Sequence, residues 1–500
     1  MKGNGGEEVT RLVAVSNRLP ISLERDKEEI RIRPGGGGLV SAMAPVLKNR
    51  GGVWIGWSGL SKEDEVESML DKTSEDIGYQ LHTVPLGQDE IDGFYFGFSN
   101  EVIWPLFHDL QTRCNFSPKF WEYYLQVNDK FADAVAQYSS EKDFIWVHDY
   151  HLIHLAQALR AKKLSRKTAF FLHIPFPAAD IFVKLPWRER ILNALIHYDL
   201  IGFQTLHDRR NFTDCLNYLM PDVKVGGRGT VVTAEMADRE FRIGAFPISI
   251  DYDNFVSIAK TWDVTSRAKW LKKSIKGTQI ILGVDRLDYT KGLPERLMAF
   301  GKALEMFPEL VGKLTLVQIV VPSRAQLGEY RSLKAEVEQL VGEINGRYTY
   351  SGWVPVHYQY RSFPREELVA NYRAASIGLV TPLKDGMNLV SKEYCACNVD
   401  EDGVLILSEF AGSASQLQGD ALLVNPYDIE GVAQAIHTAF WMTLEERKER
   451  MHRIREQIRR NDIFTWVDSY LQAALAMHLE DFPAESEYVP QISLKIDNGD

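Results

Sequence analysis

Short runs of β-branched and aromatic residues recur along the first half of the chain, separated by stretches with helical periodicity. Such runs predict buried strands, and the amphipathic stretches between them predict helices. Continuous apolar strands that alternate with helices are typical of a parallel sheet covered on both faces. The predicted strands of this first series are RLVAVS (11–16), FIWV (144–147), TAFFL (168–172) and LIGF (200–203).

A second series of the same kind follows Pro247. Its predicted strands are 279–284, 314–321, 376–381, 404–408 and 421–426, with helices over 294–306, 325–344 and 429–440. Two such series predict an α/β protein with two doubly wound, Rossmann-like domains. We place the first domain at 1–247 and the second at 248–465, with a β-hairpin over 225–243 and a loosely held tail over 485–500.

Composition narrows the class of protein. The 500 residues include 57 basic and 68 acidic side chains, a net charge of −11, which argues against nonspecific binding to nucleic acid. The start, MKGNGGEE, is polar, and no apolar run reaches the roughly 18 residues that span a bilayer, so we expect a cytoplasmic protein with no membrane partner. The four cysteines are too scattered for a disulfide framework, and Cys395 and Cys397 are interpreted as buried small residues rather than a metal or redox site.

Polar residues follow the predicted strands in both halves. Ligands of open parallel sheets bind beyond the carboxyl ends of the strands, so these positions are the informative ones. Any one of them alone would be interpreted as a solvated loop charge, but their joint placement favours a ligand site. The residues are Asn17, Arg18, His148, Asp149, His173, Asp285, Arg286, Lys291, Arg324, Lys384, Asp385 and Gly386.

The segment DGMNLVSKEY (385–394) predicts a turn that leads into a helix. The unpaired amides and the dipole of a helix N-terminus bind phosphate, and Arg286 with Lys291 would add cations to the same group. A sugar-nucleotide diphosphate fits this combination. Glu393, on the same helix face as Leu389, could accept hydrogen bonds from a ribose.

Other ligand classes fit the sequence less well. GGGGLVSAM lacks the spacing of a dinucleotide fingerprint, and no P-loop motif occurs, so we discount an oxidoreductase and a P-loop NTPase. HDYHLIH spaces His148, His151 and His154 three apart, which rotates them off one helical face, and we interpret Asp149 as a partner for a sugar hydroxyl rather than the histidines as zinc ligands. Tyr95 and Trp104 could line a sugar pocket.

A dense set of motifs then resembles one family. SNRLP, GGLV, WIGWSG, FSNEVIWP, VHDYHL, DRLDYTKGLPER and TPLKDGMNLVSKEY, in this order, are similar to the trehalose-6-phosphate synthases of glycosyltransferase family 20. The resemblance covers about residues 11 to 470. It implies the GT-B fold, with the active cleft between two Rossmann-like domains, and a last helix, about 466–484, that returns to the first domain.

The resemblance also implies a reaction: glucose passes from UDP-glucose to glucose 6-phosphate with retention at the anomeric carbon, and no metal or cofactor is implied. The implied acceptor-binding residues are Arg18, Tyr95, Trp104, Asp149 and Arg324. The implied donor-binding residues are Gly37, Gly38, His173, Arg286, Lys291, Phe363, Asp385, Gly386, Met387, Asn388, Leu389, Val390 and Glu393. Asp149, His173, Arg286, Lys291 and Asp385 are expected to take part in catalysis.

Two rival functions stay open at this point. A glucosylglycerol-phosphate synthase would use the same fold with ADP-glucose and glycerol 3-phosphate, although Trp104 and Asp149 favour a sugar acceptor. A catalytically silent sensor of sugar phosphates is the second rival, although such a protein would not need all four of the cations Arg18, Arg286, Lys291 and Arg324. Assembly into a homo-oligomer is also left open.

Overall fold

The computed structural model describes residues 11–26, 29–34, 38–61, 66–237, 239–275, 279–324, 327–350, 352–476, 482 and 485–488. The chain divides into two compact units. The first unit extends to Asp251 and also contains Asn461–Glu485, while the second contains Tyr252–Arg460 and the residues from Ser486 onward. Of the expected loose tail, Glu485 and Tyr488 make hydrogen bonds, to Thr230 and Glu409 respectively, and the part beyond residue 488 lies outside the described residues.

Among its described residues, the first unit forms a nine-stranded sheet in the order β5-β4-β1-β6-β7-β8-β11-β10-β9, with β2 and β3 paired separately as an antiparallel hairpin. Its strands are β1 (Leu12–Arg18), β2 (Ile21–Asp26), β3 (Glu29–Pro34), β4 (Gly52–Trp57), β5 (Gln80–Thr83), β6 (Phe144–His148), β7 (Lys167–Phe171), β8 (Leu200–Phe203), β9 (Lys224–Gly226), β10 (Val231–Met236) and β11 (Arg239–Ala245).

The first seven strands of this order, from β5 across to β11, are parallel. The last two, β10 and β9, are antiparallel and lie at one edge of the sheet. The hairpin expected over 225–243 is present as β10 and β11, but β11 also pairs in parallel with β8, so the sheet is mixed. The central strands β1 and β6 are buried on both faces, which explains their unbroken apolar sequences.

Helices cover the first sheet. They are Gly38–Arg50, Glu67–Ile77, Gln88–Glu90, the π-helix Ile91–Ile103, Trp104–Phe107, the 3₁₀ turns Gln111–Arg113 and Tyr150–Leu152, Pro118–Tyr138, Leu155–Ala161, Ala179–Phe182, Arg188–Leu195, Leu206–Leu219 and Ile463–Leu475.

The last of these, the returning helix Ile463–Leu475, packs on the first sheet. The Tyr470 ring stacks on Trp146 of β6 with centroids 4.3 Å apart, and the Tyr470 hydroxyl donates to the Phe170 carbonyl at 2.8 Å. Trp466 Nε1 donates to the Phe246 carbonyl at 3.0 Å. Two aromatic side chains of this helix therefore complete the core of the first unit.

The part of the second unit that the structure describes forms a six-stranded parallel sheet in the order β14-β13-β12-β15-β16-β17. Its strands are β12 (Gln279–Arg286), β13 (Leu314–Val321), β14 (Val356–Tyr360), β15 (Ile377–Val380), β16 (Val404–Ser408) and β17 (Leu422–Val424). Counted within the unit, this is the order 3-2-1-4-5-6 of a dinucleotide-type Rossmann sheet. The strand order reverses beside β12, so the end of β12 is the expected place for a ligand.

Helices also cover the second sheet. They are Tyr252–Lys260, Trp262–Ser274, Leu293–Met306, Gly328–Tyr348, Arg365–Ala374, Leu389–Cys397, Ala414–Leu417, Ile429–Trp441 and Leu444–Arg460, with 3₁₀ turns at Tyr289–Lys291 and Pro308–Leu310. Across the described residues of both units, no helix is long and apolar enough to cross a membrane.

Candidate active site

Arg18 lies at the carboxyl end of β1. The pairing of β1 with β4 shifts register between Val15 and Arg18, and the Ser16 hydroxyl donates to the Arg18 carbonyl at 2.7 Å. Such an irregularity re-aims the side chain that follows it. The Arg18 guanidinium lies 4.0 Å from the centre of the Trp57 ring and 5.7 Å from that of Tyr95. Arg18 and Tyr95, both expected at the acceptor, are therefore neighbours.

Tyr95 belongs to the π-helix Ile91–Ile103. Helices of this type are rare and are frequently found at functional sites. The π-helix packs against helix Pro118–Tyr138 through two glycines, because a Cβ at Gly93 would clash with the Tyr123 ring and one at Gly97 with the Phe120 ring. These contacts between backbone and ring hold Tyr95 in place.

A column of rings joins Tyr95 to Trp104. Tyr95 stacks on His151 at 6.0 Å, His151 stacks on Tyr150 at 4.0 Å, and Tyr150 meets Trp104 at 5.9 Å. Asn100 ties the column to the backbone, since its Nδ2 donates to the Tyr95 carbonyl at 2.6 Å and its Oδ1 accepts from the Tyr150 hydroxyl at 3.2 Å. The structure thus links the two aromatic residues that were expected to meet a sugar.

Asp149 and His173 follow the neighbouring strands β6 and β7. Asp149 has a backbone φ of 74°, which is strained for a residue with a side chain. Its amide donates to the Phe171 carbonyl at 2.8 Å, and its Oδ1 accepts from the His173 amide at 3.3 Å. The strained turn therefore fixes the Asp149 carboxylate beside the backbone of His173.

His173 is paired with His148, the last residue of β6. His148 Nδ1 and His173 Nε2 are 3.2 Å apart, so one ring donates to the other. Burial lowers the pKa of His173 to about 3. The pKa of His148 lies well below its ordinary value, mainly because the ring is buried and also because His173 is close to it. Both rings are therefore neutral near pH 7.

The three evenly spaced histidines of HDYHLIH have different neighbours. His148 pairs with His173, His151 lies in the ring column, and His154 packs against the edge of Trp121. Cys395 and Cys397 are buried free thiols whose pKa values burial raises. In the part of the chain that the structure describes, no three His, Cys, Asp or Glu residues are grouped so as to hold a metal ion.

In the second unit, Lys291 and Asp385 come together. Lys291 ends the 3₁₀ turn after β12, and Asp385 follows β15, the neighbouring strand. Lys291 Nζ lies 2.6 Å from Asp385 Oδ2, and Asn388 Nδ2 donates to the same oxygen at 3.0 Å. The two charged side chains are only 11% and 15% exposed, so their interaction is little screened by water.

Arg296 stabilises the turn that carries Lys291. Its side chain is fully buried and pairs with Asp285, while its Nε donates to Thr381 Oγ1 at 3.0 Å and its Nη2 to the Lys291 carbonyl at 3.3 Å. The last of these bonds fixes the backbone of the turn that carries Lys291. Arg296 was not predicted as a site residue, although it ends the motif DRLDYTKGLPER.

Arg286 and Arg324 lie near a buried carboxylate, Asp288. Arg286 ends β12 and is exposed, whereas Arg324 follows β13 and its side chain is only 6% exposed. Arg324 Nη1 lies 3.3 Å from Asp288 Oδ2 and donates to the Tyr330 hydroxyl at 2.7 Å. Arg324, expected at the acceptor phosphate, thus has two partners that the sequence analysis did not select.

The helix Leu389–Cys397 begins as expected after DGMN, with Asn388 as its N-cap at φ 68°. The Asn388 side chain accepts from the Ser391 amide at 3.3 Å, so one of the first amides is already satisfied by the protein. The amides of Leu389 and Val390 belong to the first turn, where no earlier carbonyl of the helix can accept from them. These amides are the ones suited to a phosphate.

Gly386 and Met387 are fixed by a second loop. The Met387 carbonyl accepts from the Ser413 amide at 2.9 Å, and a Cβ at Gly412 would clash with the Gly386 carbonyl. The close approach of these two loops holds the segment that precedes the helix.

The other residues expected to contact the donor lie on several different elements. Glu393 Oε2 accepts from the Tyr372 hydroxyl at 2.7 Å, and burial raises the pKa of Glu393 despite that bond. Phe363 is half-buried in the turn after β14, with the Arg361 guanidinium 4.3 Å from its ring centre. Of the two expected donor glycines, Gly38 begins a helix and Gly37 lies outside the described residues.

Comparison with known proteins shows the same architecture elsewhere. An alpha,alpha-trehalose-phosphate synthase from Burkholderia xenovorans, in complex with glucose-6-phosphate, is 37% identical, with a TM-score of 0.84 over 93% of this chain and 99% of that chain. An E. coli structure bound with UDP-2-fluoro glucose is 37% identical, with a TM-score of 0.83 over 94% of this chain and 99% of that one.

Curated sequences give the same result. The trehalose-6-phosphate synthase of Mycolicibacterium smegmatis is 40% identical over 470 residues, which is 93% of this chain and 92% of that protein. A UDP-forming synthase of this kind from Dictyostelium discoideum is 39% identical over 459 residues, but the chain spans only 61% of that protein's length. The profile of Glycosyltransferase family 20 matches residues 10–476.

The two Rossmann-like units and the likeness to these solved structures define a glycosyltransferase of the GT-B class. Within that class, the chain belongs to glycosyltransferase family 20, because the family profile matches nearly its whole length.

Proposed function

We propose that this protein transfers glucose from UDP-glucose to glucose 6-phosphate and releases α,α-trehalose 6-phosphate and UDP. The observation that carries the proposal is the likeness, over 93% of the chain, to a Burkholderia synthase in complex with glucose-6-phosphate. The E. coli structure bound with UDP-2-fluoro glucose supports the donor in the same way. The four free cysteines suit the reducing environment of the cytoplasm, where we propose that the protein works.

On this proposal, the residues expected at the acceptor have the roles that the family resemblance implies. Arg18 and Arg324 bind its phosphate, and their guanidinium groups suit that anion because they can form paired, charge-assisted hydrogen bonds. Tyr95 and Trp104, joined by the ring column, face the sugar, and Asp149 accepts hydrogen bonds from its hydroxyls. The backbone of Asp149 is strained, and strain of this kind is found where function requires a side chain to have a fixed direction.

The donor is held mainly by the second unit. Arg286 and Lys291 neutralise the diphosphate, and the first-turn amides of helix Leu389–Cys397 bind its phosphate oxygens. Asp385 and Asn388 hold hydroxyls of the transferred glucose. The proposal also includes donor contacts by eight further residues: Gly37, Gly38, Phe363, Gly386, Met387, Leu389, Val390 and Glu393.

The chemical step breaks the bond between C1 of the glucose and the UDP oxygen. A new bond forms between C1 and the anomeric oxygen of the acceptor on the same face, and the acceptor proton passes to the departing phosphate oxygen. His173 lies beside C1 as a neutral ring. Charge develops on the leaving diphosphate, so Arg286, Lys291 and the helix N-terminus carry the stabilisation that a divalent ion could otherwise supply.

A UDP-release assay tests the proposal with the purified full chain. The expected result is UDP release with UDP-glucose and glucose 6-phosphate, a product that co-migrates with trehalose 6-phosphate, and a large loss when unphosphorylated glucose replaces the acceptor. Preference for ADP-glucose with glycerol 3-phosphate would instead establish a glucosylglycerol-phosphate synthase. Tight binding of both substrates without UDP release would establish a sensor.

A further inference from the structure

Asp288 is a fully buried carboxylate close to three cations of the second unit, Arg324, Lys291 and Arg286. It caps the 3₁₀ turn Tyr289–Lys291 by accepting from the Thr290 amide and hydroxyl with Oδ1, at 3.1 and 3.0 Å. Its other oxygen, Oδ2, lies 3.3 Å from both Arg324 Nη1 and the Tyr330 hydroxyl. With both oxygens engaged by the protein and no exposed surface, Asp288 does not itself contact substrate.

Arg324, Asp288 and Tyr330 form a closed triangle of hydrogen bonds. Arg324 Nη1 donates to the Tyr330 hydroxyl at 2.7 Å, and that hydroxyl in turn donates to Asp288. Tyr330 is 1% exposed, so these bonds are shielded from water. A charge-assisted pair in such surroundings fixes the plane of a guanidinium, and a paired bond to phosphate needs that plane to be fixed.

The backbone of Arg324 gives independent evidence of constraint. Its φ is 45°, in the left-handed region that residues with side chains rarely adopt. Strain of this kind persists only where the surrounding structure determines the conformation. The charges around Asp288 support the same conclusion. Burial opposes the ionisation of Asp288, but Arg324, Lys291 and Arg286 together hold its pKa below the ordinary value.

We propose that Asp288 and Tyr330 are positioning residues that orient Arg324 toward the acceptor phosphate and thereby set the preference for a phosphorylated over an unphosphorylated acceptor. The inference rests on the proposed function and on the role of Arg324 in it. A positioning role makes a different prediction from a purely electrostatic one. If Asp288 acted only through its negative charge, it would repel the acceptor phosphate, and removing the charge would tighten the binding of glucose 6-phosphate.

The test compares kcat/KM for glucose 6-phosphate with kcat/KM for glucose in the full-length enzyme. Asp288→Asn is expected to lower the ratio of the two values at least about tenfold, the usual effect of losing a hydrogen bond to a charged group. Tyr330→Phe, which removes one hydroxyl, is expected to lower it by about three- to tenfold. The KM for UDP-glucose is expected to change less than the KM for glucose 6-phosphate in both variants.

Asp143→Asn is the matched control. Asp143 is also a buried carboxylate paired with an arginine, Arg11, at 3.1 Å, but it lies at the amino end of β6, whereas the proposed site residues of that unit follow the carboxyl ends of its strands. A role limited to stability would lower both acceptor activities equally, as we expect for Asp143→Asn. An unchanged ratio in Asp288→Asn or Tyr330→Phe, or a lower KM for glucose 6-phosphate in Asp288→Asn, would overturn the inference.

Arg324→Ala separates the inference from the proposed function. If wild-type enzyme releases no UDP with glucose 6-phosphate, the proposed function is wrong. If Arg324→Ala leaves the acceptor preference unchanged, the role of Arg324 is wrong, and the positioning role falls with it. If Arg324→Ala lowers the preference but Tyr330→Phe does not, only the positioning role is wrong. Tyr330→Phe decides the matter even where Asp288→Asn fails to fold.

Discussion

Replacing Lys291 with alanine should abolish most of the turnover while leaving the fold intact. Lys291 Nζ lies 2.6 Å from Asp385, and both side chains are almost out of water, so their charges act at nearly full strength. Loss of one well-placed donor to a developing oxyanion costs about 3 to 4 kcal/mol, which is roughly a 10²- to 10³-fold loss in kcat. The KM for UDP-glucose should also rise, because the donor diphosphate is charged before the reaction, but the larger loss should be in kcat, because the additional charge on the leaving phosphate oxygen develops only in the transition state.

The assay is UDP release at saturating concentrations of both substrates, with thermal unfolding measured on the same samples. Arg286→Ala should behave in the same way, with at least about a hundredfold loss. Lys334→Ala is the control, because Lys334 belongs to the same unit but pairs with Glu338 on an exposed helix surface. A folded Lys291→Ala enzyme with kcat within about threefold of wild type would refute the role of this cation in leaving-group departure.

Three further predictions follow. Activity should survive EDTA, because cationic side chains and helix amides replace a divalent ion in the proposed step; loss of activity that Mg²⁺ restores would contradict this. Burial lowers the pKa of His173 to about 3 and that of His154 to about 4 from an ordinary 6.5, so the unfolded state binds more protons and stability should fall as the pH drops below about 6.5. Urea unfolding at pH 7 and pH 5 should show a smaller loss in a His154→Gln variant than in wild type, and equal losses would exclude this cause. Gly97→Ala should destabilise by about 1 to 3 kcal/mol through the clash with Phe120, whereas Gly342→Ala, in a helix with open space around it, should stabilise by up to about 1 kcal/mol; similar effects of both variants on the urea midpoint would refute the packing argument.

Much of the parallel framework could be predicted from the sequence, because buried parallel strands form unbroken apolar runs. β6, β8, β13 and β16 were predicted within a residue of their observed bounds. Two edge strands, β5 and β14, were missed, because a strand that is largely exposed or half-buried lacks such a run.

The π-helix was missed for a different reason. Its residues are apolar on most sides, and the packing of Gly93 and Gly97 against a neighbouring helix decides its winding. Nothing local in the sequence signals that contact. Tertiary packing therefore determines the structure around Tyr95.

The candidate site divides in the same way. Residues that directly follow strands, such as Asp149 and Arg286, could be selected because the carboxyl ends of parallel strands form the binding edge. Asp288 and Arg296 were passed over, although both lie in a motif that the sequence analysis used. Their importance depends on which cation or carbonyl they reach across the fold, and such partners are not adjacent in sequence.

The returning helix has a consequence for how the protein is made. The last strand of the first sheet ends at Ala245, but the helix that covers Trp146 begins only at Ile463, so a ribosome translates the whole second unit in the interval. At ordinary elongation rates that delay is on the order of 10 to 40 s. For that time the nascent chain lacks the helix that covers Trp146, and transiently exposed apolar surface of this kind is prone to aggregation and to chaperone binding.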